Sequence, residues 1–113
     1  MQTLTILKPD DFHLHLRDGA AMASIVNYSA AQFSRAIVMP NLKPAITTVD
    51  MALSYRKRIL DSVDKKYNFE PLMTLYLTDN TSPDEINIAL QTESIKALKY
   101  YPAGATTNAD CGV

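Results

Sequence analysis

Cysteine is nearly absent. Cys111 stands alone, so no internal disulfide can form, and a reducing compartment such as the cytoplasm fits best. A surplus of one charge is missing too. Eleven Lys and Arg residues face twelve Asp and Glu, a net charge of -1, which leaves no electrostatic footprint for nucleic acid or an anionic membrane surface. No apolar stretch approaches the roughly 18 residues needed to cross a bilayer. Residues 1–12 lack a basic segment followed by an apolar one, so no signal-peptide pattern is visible. No internal repeat, low-complexity tract or Gly/Ser linker divides the chain, and at 113 residues one domain is expected. Histidine is scarce: there are two, both in one tripeptide. What is present in ordinary amounts, 47% hydrophobic and 20% charged residues, is the balance of a folded globule rather than a disordered chain.

Strand-like and helix-like segments alternate. Residues 3–7 read as a short strand, and 11–16 alternate strictly between polar and apolar side chains. An Ala-rich helical stretch over 19–33 leads to a buried-looking strand at 35–39, stopped by Pro40. After a loop at 41–48, a helix is expected over 49–65. Its Val49, Ala52, Leu53, Ile59, Leu60 and Val63 recur at three- and four-residue steps, and Thr47 with Asp50 is spaced as a capping box. A third strand is expected at 70–78. Ser82, Pro83 and Glu85 supply an N-cap, a first-turn proline and a capping-box acid for the next helix. A fourth strand, 95–101, ends at Pro102. Such alternation points to an α/β class with right-handed βαβ units and a parallel sheet. In that architecture ligand chemistry gathers where strands end.

Four constellations lie at those ends. In Asp11-Phe12-His13-Leu14-His15-Leu16-Arg17, strand alternation places Asp11, His13, His15 and Arg17 on one face. Two imidazoles at that spacing can converge on one metal, and neutral imidazole suits zinc. An ordinary amphipathic strand with two half-exposed histidines has the same pattern, and two ligands do not complete a zinc centre. Lys99, on a largely apolar strand face near its end, is either a desolvated amine able to form a carbamate with carbon dioxide or a lysine that snorkels to water. Composition leaves both open. Asn41, in Met39-Pro40-Asn41-Leu42-Lys43-Pro44, is either a substrate-facing amide or turn punctuation. Thr106 and Thr107 stand in a small polar loop that either closes over a ligand or is simply solvated.

Together, PDDFHLHLRDG, RAIVMPNLKPAITT, EPLMTLYLTDN and KALKYYPAGATTN resemble the type II dihydroorotases, zinc enzymes of the amidohydrolase superfamily. The His-x-His strand alone indicates only the superfamily; the set is far more specific, and Arg-Asp-Gly after the histidines is type II in character. The resemblance implies a TIM (β/α)8 barrel of the metal-dependent hydrolase type. It further implies two Zn2+ per complete site and reversible cyclisation of N-carbamoyl-L-aspartate to L-dihydroorotate in pyrimidine biosynthesis. By the same resemblance, His13 and His15 are zinc ligands, Lys99 is the carbamylated, metal-bridging lysine, Arg17 and Asn41 hold the substrate carboxylate, and Thr106 and Thr107 belong to a mobile loop. A homodimer in the cytoplasm is also implied.

A complete barrel of this kind needs roughly 250 residues. Residues 1–113 are therefore expected to be the N-terminal portion of one barrel domain, about four βα units, inactive without the remainder. Two further histidines and a proton-shuttling aspartate of the family have no counterpart here. Nicking in the mobile loop with the C-terminal portion still associated, or truncation, would account for such a piece. Two alternatives remain: a dihydropyrimidinase- or hydantoinase-like cyclic-amide hydrolase, and a non-catalytic barrel fragment acting as a scaffold.

Overall fold

A computed structural model describes residues 1–113. Seven elements follow in strict alternation: β1 (Asp10–Leu14), α1 (Gly19–Gln32), β2 (Arg35–Val38), α2 (Val49–Ser62), β3 (Glu70–Tyr76), α3 (Pro83–Gln91) and β4 (Ile95–Lys99). All neighbouring strands pair in parallel, in the order β1-β2-β3-β4, with irregular register between Asp11 and Leu14 and between Met73 and Thr74. Chain order equals spatial order, so β1 and β4 are the two edges. No helix is long and apolar enough to cross a membrane.

The core lies between the sheet and its helices. Ala36 and Val38 from β2 and Met73 and Leu75 from β3 meet Met22 and Val26 of α1, Ala52, Tyr55 and Ile59 of α2, and Ala89 of α3 in one cluster. Alternation turns Thr74, Tyr76 and Lys99 to the other face of the sheet. Fully burying side chains such as Val26, Ile59 and Leu75 contributes roughly 1.5–3 kcal/mol each. At the edges, large apolar side chains are left in solvent: Phe12 on β1 is 75% exposed and Leu98 on β4 is 42% exposed.

Several expected details differ. Residues 3–7 form no strand, because the sheet begins at Asp10 and nothing pairs with them. β1 stops at Leu14 rather than residue 16, so His15 and Arg17 lie beyond it. Thr48, not Thr47, caps α2, its side chain accepting from Met51 N. On α2, Leu53 and Leu60 are partly solvent-exposed, while Tyr55 takes a core position. Steps of three and four from Val49 lead through Ala52 and Tyr55 to Ile59, and these four define the buried face. Ser82 caps α3 as expected. Glu85, however, turns away from its own helix: its Oε1 accepts from Val49 N at 2.5 Å, capping α2 instead.

Candidate active site

The interesting residues do gather at the C-terminal ends of the strands. His13 and His15 straddle the end of β1 with their Nε2 atoms 3.1 Å apart. Two nitrogens each bound at 2.0–2.1 Å to one tetrahedral zinc lie about 3.3 Å from one another. The two rings are within hydrogen-bond distance of each other, a separation close to the one that two ligands of a single ion need. Partial burial, followed by the charges of Lys99, Arg17 and His13, lowers the pKa of His15. That favours the neutral imidazole, which is the form that binds metal. The set is not complete within the chain, since no group of three or more His, Cys, Asp or Glu side chains comes together.

Lys99 approaches from β4, where it pairs with Tyr76 of β3. Its ammonium does not snorkel outward. Nζ donates to Asn41 Oδ1 at 2.8 Å, lies 3.7 Å from Met39 Sδ and sits 5.4 Å from the centre of the Tyr101 ring. Burial lowers the lysine pKa, because the charged form loses water that one neutral amide only partly replaces.

Asn41 is placed differently from the expectation of an amide offered to a ligand. It is only 1% exposed, and both ends of its carboxamide are engaged. Oδ1 receives Lys99, and Nδ2 donates to Thr107 O at 2.9 Å. Its backbone carbonyl accepts from Asn108 Nδ2 at 3.2 Å and faces Arg17 Nη1 at 3.5 Å. The threonine loop thus lies against Asn41 through the Thr107 carbonyl, not through a hydroxyl. Thr106 is half-buried and Thr107 exposed. Just beyond, Ala109 is buried against Ala45 and Tyr76. Within this cluster the Tyr76 hydroxyl has no hydrogen-bond partner; the Thr74 hydroxyl, two residues earlier on the same strand face, has none either.

Arg17 stands in the turn between β1 and α1 with φ 57°, a left-handed conformation that costs a non-glycine residue about 1–2 kcal/mol. Strand alternation therefore does not aim it. Asp18 is extended and caps α1, accepting from Gly19 N, and Gly19 is again left-handed. Beside this turn opens a cavity of about 530 Å³, lined by Arg17, Asp18, Lys43, Asp50, Arg58 and Asn108 among others. Sequence reasoning includes Asn108 in the threonine loop but gives it no role, although asparagine is among the few residues that tolerate the left-handed region, and its φ is 54°. It misses Tyr55 and Arg58, whose contacts with the turn after β1 depend on how α2 packs.

No protein-family model matches the chain. Comparison with curated proteins finds 61% identity to the dihydroorotase of Microcystis aeruginosa over 113 residues, all of this chain but 33% of that protein. The dihydroorotase of Acaryochloris marina is 62% identical over the same span. The chain spans about a third of the length of the curated relatives it matches. Among solved structures, the dihydroorotase of Campylobacter jejuni superposes with a TM-score of 0.85 and 40% identity, covering 94% of this chain and 30% of that one. The Saccharomyces cerevisiae dihydroorotase, solved in complex with 5-fluoroorotic acid, gives 0.83 and 38%, covering 93% and 28%. The L-hydantoinase (dihydropyrimidinase) of Arthrobacter aurescens, at 19% identity and a TM-score of 0.70 over 94% of this chain and 24% of that one, shares the fold alone. From end to end the chain is therefore similar to one third of a dihydroorotase, and its four parallel strands with their helices match the N-terminal part of that amidohydrolase barrel.

Proposed function

We propose that this chain supplies the first half of the active site of a dihydroorotase, which interconverts N-carbamoyl-L-aspartate and L-dihydroorotate in pyrimidine biosynthesis. In the cyclising direction the ureido nitrogen attacks the side-chain carboxyl carbon, a C–N bond forms and water leaves; ring opening is the reverse. The observation that carries the reading is the meeting of the His13–His15 pair, a desolvated Lys99 and Arg17 at one end of a parallel sheet. Identity of about 60% along the whole chain to dihydroorotases adds to it.

His13 and His15 would hold one zinc ion, and Lys99, as a carbamate, would give oxygen ligands to both ions of a two-zinc site. When bound, zinc supplies Lewis acidity toward the carbonyl and acidifies water. The protein's own groups prepare this. Desolvation raises the share of neutral Lys99 amine, which can add carbon dioxide and release a proton. Arg17 offers a planar fork matched to the carboxylate left untouched by the reaction. Asn41 ties Lys99 to the loop bearing Thr106 and Thr107, so it organises both neighbours of the substrate as well as being a candidate to touch it.

Residues 1–113 would form the N-terminal portion of a single barrel domain, with further strands pairing with the open edges of β1 and β4. The rest of the barrel would bring the remaining metal ligands and the proton-shuttling acid, and the complete enzyme would be a cytoplasmic homodimer. The test is turnover by the complete barrel of three substrates: dihydroorotate, dihydrouracil and hydantoin. Strong preference for dihydroorotate, lost together with zinc on chelation, supports the reading. Equal turnover of the substrates lacking a carboxylate would favour a hydantoinase-like enzyme. Properly folded protein with neither zinc nor turnover would favour a scaffold.

A further inference from the structure

Arg17 adopts a backbone conformation unfavourable to its side chain, and α2 holds it there. Tyr55 and Arg58 are three residues apart on α2, on neighbouring faces of the helix, and both reach the β1–α1 turn. The Tyr55 hydroxyl donates to the carbonyl oxygen of Arg17 itself. Arg58 grips the next residue with two bonds, Nε to Asp18 Oδ1 at 3.0 Å and Nη2 to Asp18 Oδ2 at 2.8 Å. The two arms brace one another, with the Arg58 guanidinium 5.3 Å from the centre of the Tyr55 ring. Leu16, 1% exposed, anchors the residue before the turn in the same core cluster as Tyr55, which is equally buried. Burial pushes the Tyr55 phenol up, so it remains a protonated donor through the neutral range.

We propose that Tyr55 and Arg58 are positioning residues that lock the Arg17–Asp18–Gly19 turn and thereby aim the Arg17 guanidinium at the substrate carboxylate. This rests on the carboxylate-binding role proposed for Arg17. Both residues act by over-determining a strained turn, the condition under which such strain persists at a working site. Arg17, Asp18 and Arg58 all line the cavity beside the turn, so any slackening of the clamp moves the guanidinium relative to that space.

The test is a double-mutant cycle in the complete barrel: Tyr55→Phe, Arg17→Ala and the two combined, with dihydroorotate as carboxylate-bearing substrate and dihydrouracil as the substrate without one. Tyr55→Phe keeps the ring and removes only the donor. It is expected to raise KM for dihydroorotate about tenfold, the worth of one buried hydrogen bond, with kcat, zinc content and dihydrouracil turnover little changed. In the Arg17→Ala background the same change should add nothing. Arg58→Gln, a partly exposed substitution that serves if the tyrosine variant does not fold, should raise KM about threefold and be equally silent without Arg17. Three results overturn the proposal. In the first, Arg17→Ala raises KM but neither clamp variant does. In the second, the clamp variants add their full effect in the absence of Arg17, or depress dihydrouracil turnover equally, which marks a merely structural role. In the third, Arg17→Ala leaves KM unchanged, and then the carboxylate reading of Arg17 fails first and takes the clamp with it.

Discussion

The Lys99 ammonium donates to the side-chain oxygen of Asn41 across 2.8 Å, while the nitrogen of the same carboxamide holds the Thr107 carbonyl. One buried side chain therefore joins the end of β4, the loop after β2 and the threonine loop. That arrangement decides what each of the three can do, and it makes Asn41 the most informative position to change.

Asn41→Asp replaces a neutral acceptor with a carboxylate beside the lysine. An opposite charge at that distance favours the ammonium, reversing the lowering that burial causes, and an ammonium cannot add carbon dioxide. Intact-protein mass spectrometry is expected to find the carbon dioxide adduct on the wild-type protein and not on the variant, with zinc content falling in parallel. Asn41→Ala, which strands two partners, should cost about 2 kcal/mol in urea unfolding, about 1 kcal/mol for each lost bond. An aspartate variant that retained the adduct would show that this contact does not govern Lys99.

Asp18 gives a prediction about acid. Its pKa is lowered first by the hydrogen bonds from Arg58, with the bond from Gly19 N and the Arg58 charge adding to this against some desolvation. A depressed folded pKa means stability that is fully present above the ordinary value of 3.8 and is lost as pH falls through the folded value. Asp18→Asn can keep the cap but loses the charge. The wild-type protein should therefore be the more stable at neutral pH, with the gap closing below about pH 4. The carboxylate is 40% exposed, so the gap is expected to be modest. A gap that did not narrow in acid would mean that the ion pair contributes nothing.

Capping separates two adjacent threonines. Thr48→Ala removes the acceptor for Met51 N and should cost about 1 kcal/mol, whereas Thr47→Ala, whose hydroxyl has only Met51 Sδ at 3.7 Å, should cost a few tenths at most. Glu85→Ala should behave like Thr48→Ala although it lies on α3, because its carboxylate caps Val49 N. Chemical denaturation of the three variants orders them. Thr47→Ala as the costliest would restore the capping box expected from sequence.

The threonine loop is seated by Ala109, which is fully buried against Ala45 and Tyr76. Ala109→Leu cannot fit there. Gly112 is equally constrained, since an added Cβ would lie 2.2 Å from the Tyr101 carbonyl oxygen. Either Ala109→Leu or Gly112→Ala should unseat the loop and speed limited proteolysis within residues 103–113, leaving the rest of the chain as resistant as before. Unchanged cleavage would show that the loop is held by Asn41 alone.

Much of the fold is legible in the order of the residues. Alternation at 11–16, three- and four-residue spacing on α2, Ala richness on α1 and capping residues before α3, together with the short apolar runs, locate all seven elements. The scarcity of histidine makes the His13–His15 pair conspicuous. What escapes does so for definite reasons. Residues 3–7 have strand-like composition, but a strand needs a neighbour and they have none. Tyr55 is inconspicuous on α2 because Leu53 and Leu60 are more hydrophobic, yet it is Tyr55 that points inward. Glu85 has the right spacing for its own helix and is used by another, since Val49 N comes close enough to compete.

Periodicity and the inventory of side chains are enough to settle the class of fold and the chemical types of the candidate groups, and four short motifs carry the resemblance to a family, because each of these is a local property of the chain. How those groups are held depends on the folded molecule: a Lys99 turned inward, a buried Asn41 shared between two neighbours, and an Arg17 in a left-handed turn braced from α2. Asn41 lies 58 positions from Lys99, and Tyr55 lies 38 from Arg17. Contacts that distant in the chain are set by the packing of helices on a shared sheet, and no local pattern of residues encodes them.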